Sequence, residues 1–408
     1  MNVLASTDIL QRTLLVLTSA LFAANLAQSI MYLPVADERE PGDHMRHWRF
    51  YACMFAFFGA MLFAILAPSL TLMWVAVELT TLVSAPLIAY RRSRESLEAM
   101  WKYLLICSIG IGLALFGTML VMHATTTGNA TWHKAGFAFV LAGYGTKMGL
   151  APFHTWLPDA HSEAPAPVSA LLSGALLNCS FFAIVRVRAA IPPDAAAFCD
   201  WATAALGLLS VAVAAAFMVR QTDYKRLLAY SSVEHMGIIA LIFACSGIFR
   251  DHQALLETAL LAHIVSHSLA KTALFHTAGN LLLAFGTRAI AAVQGLGTTM
   301  RREAALWTVL VVLICGMPPS PLFLTELGLV FSSAPWIAAT LLVLLFIVFA
   351  AMTRAALTMS MGRPAARPLP LPRRLAAVPS MLLGALVGGG AFATAAIVKS
   401  MIAKGGAL

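Results

Sequence analysis

The chain has 408 residues, of which 60% are hydrophobic and only 11% are charged, and its formal net charge is +9. Soluble globular domains carry about a quarter charged residues, so this composition excludes an ordinary soluble fold. Apolar runs of about 20 residues recur along the chain, the length that crosses a bilayer as a helix. The composition therefore predicts an all-α polytopic membrane protein. Its basic residues lie in short loops between apolar runs, which indicates membrane topology and no nucleic-acid partner.

The six cysteines are scattered singly, without a CxxC pair or a Cys/His cluster. A lone cysteine within an apolar run behaves as a small hydrophobe. We therefore predict no metal and no cofactor in this chain, so that any redox chemistry belongs to a partner. No nucleotide-binding motif of the type GxxxxGK[ST] is present, which argues against transport driven by ATP within the chain.

We predict about twelve transmembrane helices from the apolar runs. Their approximate bounds are 12–33, 48–68, 69–90, 101–123, 135–157, 167–190, 201–220, 227–249, 254–285, 304–333, 335–359 and 376–400. The first run also has the length of a signal peptide, which is the alternative reading of that segment.

The charges of the loops predict the orientation of these helices. One side of the membrane carries 18 of the 27 lysines and arginines, the opposite side with both termini carries 7, and the other two lie within spans. By the positive-inside rule the first side is cytoplasmic and both termini lie outside. We expect a multi-pass protein of the bacterial inner membrane.

Two of the predicted helices are interrupted by proline. The span at 135–157 leads into Pro152 and Pro158, and the span at 304–333 contains "GMPPSPLFLTELG". Each is the fourth helix of a block of five, and because five is odd the second block enters the membrane inverted. Paired interrupted helices indicate a transport site near the midplane. The predicted organisation is an N-terminal helix and loop (1–47), two five-helix repeats (48–190 and 201–360), and a linker with a C-terminal helix (361–408).

Charged residues within the spans are the candidate functional groups, because a charge at a helix centre costs roughly 2.5–3.5 kcal/mol even on insertion scales. Glu78 lies in the middle of its span, and Lys147 directly precedes the first proline break. Lysine can also snorkel to the interface, which is the alternative for Lys147. A Glu–Lys pair of variable spacing would instead form a proton site with a switchable pKa.

Three further titratable residues share one face of a helix. His263, His267 and Lys271 are spaced by four and cover roughly 12 Å of membrane depth, the shape of a proton wire. Glu326 follows the second proline break, in the place that Lys147 occupies in the first repeat. Metal binding by His263 and His267 is disfavoured, since the sequence shows no third ligand.

Other titratable residues lie nearer the predicted membrane surface. Glu234 and His235 lie towards the cytoplasmic end of their span, where solvation is the alternative to a role in proton transfer. Three residues flank the first break and are candidates for a gate: His154, Asp159 and His161.

Three ordered motifs carry a resemblance to a known family. They read "KMGLAPFHTWLPDAHSEAPAPVSALLSG", "DYKRLLAYSSVEHMG" and "HSLAKTALFHTAGN". They resemble the antiporter-like proton-translocating subunits of respiratory complex I, membrane-bound hydrogenases and multisubunit cation/proton antiporters, and are most similar to component F of the hydrogenase-4 type. The resemblance covers most of the chain, from about Trp74 to Glu326.

The resemblance implies roles for individual residues. Glu78 and Lys147 would form the coupling ion pair, Lys271 would be the central lysine with His267 beside it, and Glu326 would lead to the outside. Three departures stand out: Asn178 replaces a common Lys or His, Glu234 replaces a small residue, and twelve helices replace the usual fourteen. The link from Lys147 to the central axis would then pass through water or through Glu234 and His235.

We therefore predict a proton-translocating membrane subunit of a redox-driven complex, with other membrane subunits and cytoplasm-facing redox subunits as partners. The chain would serve an oxidoreductase without containing its catalytic centre. One alternative is a subunit of a cation/proton antiporter, with Na⁺ as the second ion. Another is the proton-conducting membrane partner of an inorganic-carbon uptake complex. A purely structural scaffold is disfavoured by the number of titratable groups within the spans.

Overall fold

The computed structural model describes residues 3–39, 44–362, 368–389 and 397. These residues form helices and loops, with no strand among them. Eight of the helices are long and apolar enough to cross a membrane. The prediction of an all-α membrane fold is confirmed, whereas the count of twelve spans stays a prediction.

The helices of the first half agree closely with the predicted spans. They are α1 (Val3–Arg39), α2 (His47–Leu66), α3 (Leu70–Ile88), α4 (Arg94–Thr127), α5 (Ala130–Met148), α6 (Trp156–Glu163), α7 (Ala166–Leu171) and α8 (Leu177–Ala189). A π-helical turn, Leu172–Leu176, joins α7 to α8. Every residue from Leu171 to Val185 is buried, so this segment runs through the centre of the bundle.

The second half of the chain also consists of helices. Its helices are α9 (Pro193–Met218), α10 (Tyr224–Ile248), α11 (Gln253–Phe285), α12 (Leu296–Thr299), α13 (Arg301–Ile314), α14 (Pro321–Ser332) and α15 (Pro335–Ser360). The predicted last span, 376–400, is helical over 377–389, and its remaining residues except Ala376 and Ile397 lie outside the described part. At 33 residues α11 is long enough to span a bilayer, but its histidines and lysine lower its hydropathy.

Both predicted interruptions are present. Helix α5 ends at Gly149, whose φ of +84° gives the left-handed C-cap that glycine adopts without strain, and the chain resumes as α6 after seven residues. Helix α13 ends before Gly316, at a φ of +65°, and α14 begins at Pro321 behind the capping hydroxyl of Ser320. In the grouping into blocks of five, which stays a prediction, each broken helix takes the fourth place.

Close packing of α4 against α5 depends on glycine. A Cβ added at Gly143 would lie 2.5 Å from the carbonyl oxygen of Gly110, and one at Gly117 would lie 2.5 Å from the carbonyl oxygen of Gly136. Small residues allow helix backbones to approach closely in membranes. This contact holds α5, which carries Lys147, against α4.

We expect Gly143→Ala to destabilise the bundle by about 1–3 kcal/mol, because the new methyl group overlaps the α4 backbone. Gly112→Ala is the matched control, since a Cβ there meets nothing within 4 Å. It removes a helical glycine and should be neutral or stabilising by up to about 1 kcal/mol. Thermal unfolding in detergent measures both; equal effects would contradict the packing account.

Candidate proton-transfer site

Lys147 is fully buried at the last turn of α5, immediately before the break. Its Nζ donates a 2.9 Å hydrogen bond to Thr81 Oγ1 and a second to the hydroxyl of Tyr103. The same nitrogen lies 4.4 Å from the centre of the Tyr103 ring, within the range of a cation–π contact. The lysine is therefore enclosed by α3 and α4 and does not snorkel to the interface.

Glu78 does not form a direct ion pair with Lys147. Its carboxylate accepts hydrogen bonds from Ser108 Oγ at 2.8 Å and from Thr81 Oγ1 at 3.4 Å. Thr81 lies one turn after Glu78 on α3, and its single hydroxyl donates to the glutamate while accepting from the lysine. The two charged groups that the sequence pairs are thus joined through one hydroxyl group.

A second buried cluster surrounds the aligned residues of α11. His263, His267 and Lys271 are all fully buried, and His235 of α10 packs against both histidines. Its ring centre lies 5.3 Å from that of His263 and 5.1 Å from that of His267. His235 is fully buried and Glu234 is almost fully buried. This excludes the alternative that the two residues are solvated.

The hydrogen bonds of this cluster have a direction. Thr325 Oγ1 donates to the carbonyl of Leu322, so it accepts from His263 Nδ1 at 2.8 Å. His263 Nε2 then carries a lone pair and accepts from His235 Nδ1 at 3.1 Å. His235 Nε2 is left with a lone pair and no hydrogen-bond partner among the described residues; Glu234 Oε2 lies 3.7 Å from it.

The two ends of this cluster are Lys271 and Glu326. Lys271 Nζ donates to the carbonyl of Leu228 on α10 at 2.8 Å. Glu326, on α14, is 7% exposed, and its carboxylate accepts no hydrogen bond from a described residue. His235, His263 and Glu326 each offer one ligand atom, all within 4.8 Å of one another. The sequence suggested only His263 and His267 as metal ligands. The structure instead groups His263 with His235 and Glu326.

The buried α7–α8 segment lies between the two clusters. Ser173 hydrogen-bonds Ser232 of α10 at 2.8 Å, and Asn178 Nδ2 donates to Ser268 Oγ of α11 at 2.8 Å. Asn178 Oδ1 and Thr272 Oγ1 are buried here without a partner among the described residues. Polar atoms of this kind are commonly satisfied by ordered water.

The three gate candidates occupy separate environments. Asp159 pairs with Lys102 at 3.1 Å and with Arg226, so it anchors α6 to α4 and α10. His161 is fully buried, stacks on Phe275 at 4.8 Å between ring centres, and has no partner on either ring nitrogen. His154 lies apart from both, and its ring centre is 6.0 Å from that of Tyr230.

Two cations satisfy the carbonyls freed at the end of α6. Lys225 Nζ donates to the carbonyls of Ser162 and Ala164 at 2.9 and 2.7 Å, and Arg288 contacts Ser162 and Glu163. Burial lowers the pKa of Arg288, but Glu163 and Asp223 outweigh it, so the net pKa is raised and the guanidinium stays charged. Lys225 therefore supports the broken helix rather than forming part of a surface charge cluster.

Sequence reasoning missed several polar partners. Thr81, Tyr103, Ser108, Ser268 and Thr325 are neutral residues that resemble ordinary helix residues when read along the chain. The spacing of Thr81 from Glu78 and the position of Thr325 next to Glu326 were the available signals.

Comparison with known proteins places this geometry in a family. Residues 67–353 match the family model described as NADH:quinone oxidoreductase/Mrp antiporter, TM. The chain belongs to this family. It is 38% identical over 343 residues to a hydrogenase-4 component F homolog of Methylacidiphilum infernorum, covering 78% of this chain and 70% of that one. The predicted function of an antiporter-like, proton-translocating membrane subunit is confirmed at this level.

Two solved structures share the fold. One is the Mrp complex from Dietzia sp., with a TM-score of 0.82, 19% identity, and coverage of 96% of this chain and 82% of that one. The other is respiratory complex I from Thermus thermophilus, with a TM-score of 0.70, 23% identity, and coverage of 97% and 94%. Both similarities show that this chain has the same membrane fold.

Proposed function

We propose that this chain carries protons from a cytoplasmic entrance to the outside through the two buried clusters. Lys147 would be loaded first, and the proton would then pass along His267, Lys271, His235 and His263 to Glu326. The observation that carries the proposal is one buried cluster: His235 hydrogen-bonds His263, packs against His267, and lies with His263 within 4.8 Å of a Glu326 carboxylate oxygen. Titratable groups within a bilayer are costly, so their presence marks a functional site.

The Glu78–Lys147 pair would couple this proton transfer to a reaction in partner subunits. A carboxylate that approaches a buried ammonium favours its charged form, and one that withdraws favours proton release. Because Thr81 separates the two groups, a small movement of α3 relative to α5 would close or open the pair. The proposed signal is redox chemistry in cytoplasm-facing partner subunits.

Between the clusters, the proton would pass through water near Asn178 and Thr272. Their buried oxygens have no partner among the described residues, and such atoms can bind water. Water is needed on this route because Asn178, unlike a Lys or His at this position, cannot carry the proton itself. Glu234 would receive the proton from Lys271 or return it, since it lies beside His235. His154, Asp159 and His161 would control entry around the first break.

The orientation and organisation predicted above form part of the proposal. The chain would lie in the bacterial inner membrane with both termini outside, as the 18 to 7 distribution of loop charges favours. Residues 48–190 and 201–360 would form the two inverted repeats, flanked by 1–47 and 361–408. The similarity to a hydrogenase-4 component F homolog favours a hydrogenase-like complex as the partner.

The fold shared with the Mrp complex supports a second candidate, a subunit of a cation/proton antiporter. A sodium site would bring several carboxylates together, whereas Glu78 hydrogen-bonds the hydroxyl groups of Ser108 and Thr81, and Glu326 lies next to two imidazoles. Vesicle transport with and without Na⁺ separates the two candidates, since only the antiporter requires the cation.

We expect Lys147→Ala to remove most proton transport while the complex still assembles, because it deletes the first proton site. Lys134→Ala, on the same helix at its other end, is the matched control and should transport normally. Vesicles carrying the intact complex are assayed for proton uptake, with catalytic turnover of the partner followed in parallel. Normal transport by Lys147→Ala would overturn the proposed route.

Thr81→Val should weaken coupling, because valine keeps the shape of threonine but breaks the hydroxyl bridge between Glu78 and Lys147. Hydrogen bonds to charged groups contribute roughly 1.5–3 kcal/mol, so the bridged arrangement should be disfavoured about tenfold or more, and fewer protons should move per turnover. Thr81→Ser restores the hydroxyl and should recover coupling. Equal coupling in the two variants would show that the hydroxyl group of Thr81 is not what couples Glu78 to Lys147.

A further inference from the structure

The cluster of His235, His263 and Glu326 combines two imidazoles with a carboxylate. Their ligand atoms lie within 4.8 Å of one another, and all three residues are buried. Two histidines and a glutamate form a ligand set that zinc accepts, with a fourth position open. The three residues come from α10, α11 and α14, so no single stretch of sequence displays the set.

The spacing of the two histidines suits one ion. Their facing nitrogens, Nδ1 of His235 and Nε2 of His263, are 3.1 Å apart. Zinc–nitrogen bonds of about 2.0–2.1 Å in a tetrahedral site place two nitrogens roughly 3.3 Å apart. An ion could therefore replace the hydrogen bond with little movement of either ring, while Glu326 moves inward to join them.

The histidines are also oriented as metal ligands usually are. His263 donates its other nitrogen to Thr325 Oγ1 at 2.8 Å, which leaves Nε2 facing the cluster. The other nitrogen of His235 lies 3.7 Å from the Glu234 carboxylate. Such outer partners fix the tautomer of a ligating histidine and raise its basicity.

We propose that these three residues form a binding site for a divalent ion of the zinc class, taken up from the medium rather than held as a resident cofactor. Entry would pass by the second break, where Met317, Pro318 and Pro319 are exposed and Glu326 is itself 7% exposed. On binding, the proton of His235 Nδ1 would move to its Nε2 beside Glu234, and the ion would take His235 Nδ1 and His263 Nε2. Under the proposed function, this would interrupt the proton chain and stop transport. The binding itself does not depend on that function.

The test is zinc binding by the intact complex, purified through a tag on this chain. After equilibration with Zn²⁺ and removal of free ion, we expect one more Zn²⁺ in the wild type than in His235→Gln or Glu326→Gln. X-ray absorption should show nitrogen and oxygen ligands at about 2.0–2.2 Å for this ion. Thr325→Val, which keeps the fold but removes the partner of His263, should weaken binding about 10–100-fold.

Two control variants separate this site from other histidines. His276→Gln alters a buried histidine of α11 that bonds Asn25 instead, and should bind zinc as the wild type does. His267→Gln should also retain binding, whereas a site formed by the pair His263 and His267 would lose it. The proposal would be overturned if only His267→Gln lost the bound zinc. It would also be overturned if the wild type and Glu326→Gln held the same amount of zinc. Zinc binding in a complex whose Lys147→Ala variant still pumps would contradict only the proposed function.

Discussion

The structure depends on one constraint: every charge and every freed backbone group within the bilayer must find a partner inside the bundle. Breaking two helices frees backbone groups that side chains must satisfy. At the first break, the Ala151 amide donates to Ser210 Oγ and Trp156 Nε1 donates to the Thr146 carbonyl. Lys225 and Arg288 accomplish this at the end of α6, and Ser320 begins α14. Lys147 and Glu326 both lie next to these breaks, so the irregular backbone and the titratable groups occur together.

The broken helices and most buried titratable residues could be predicted from the sequence, because proline and charge are conspicuous against an apolar background. The partners of those residues could not be predicted. Thr81 and Tyr103 contact Lys147 from α3 and α4, and only the packing of three helices brings them together. The expected ion pair of Glu78 and Lys147 therefore becomes a bridged pair, a difference that no periodicity along one helix reveals.

The burial of His235 also could not be predicted from the sequence. Its position near the predicted cytoplasmic end of α10 left solvation open, yet it is fully buried between His263 and His267. Depth along a helix does not determine exposure when other helices cover that end. The four-residue spacing on α11 correctly predicted one buried face, but the shortest contact of His263 is with another helix. The two proposed uses of this cluster, proton transfer and metal capture, depend on the same ring nitrogens.

The central claim is that the buried cluster on α11 moves protons, and Lys271 tests it most directly. Lys271→Met replaces the ammonium by an apolar group of similar length within a fully buried position. Proton uptake by vesicles that carry the intact complex is measured together with turnover of the partner and with the amount of assembled complex. The account predicts that transport is lost while the complex assembles. Transport at the wild-type level would contradict it and leave Lys271 as a packing residue bonded to the carbonyl of Leu228.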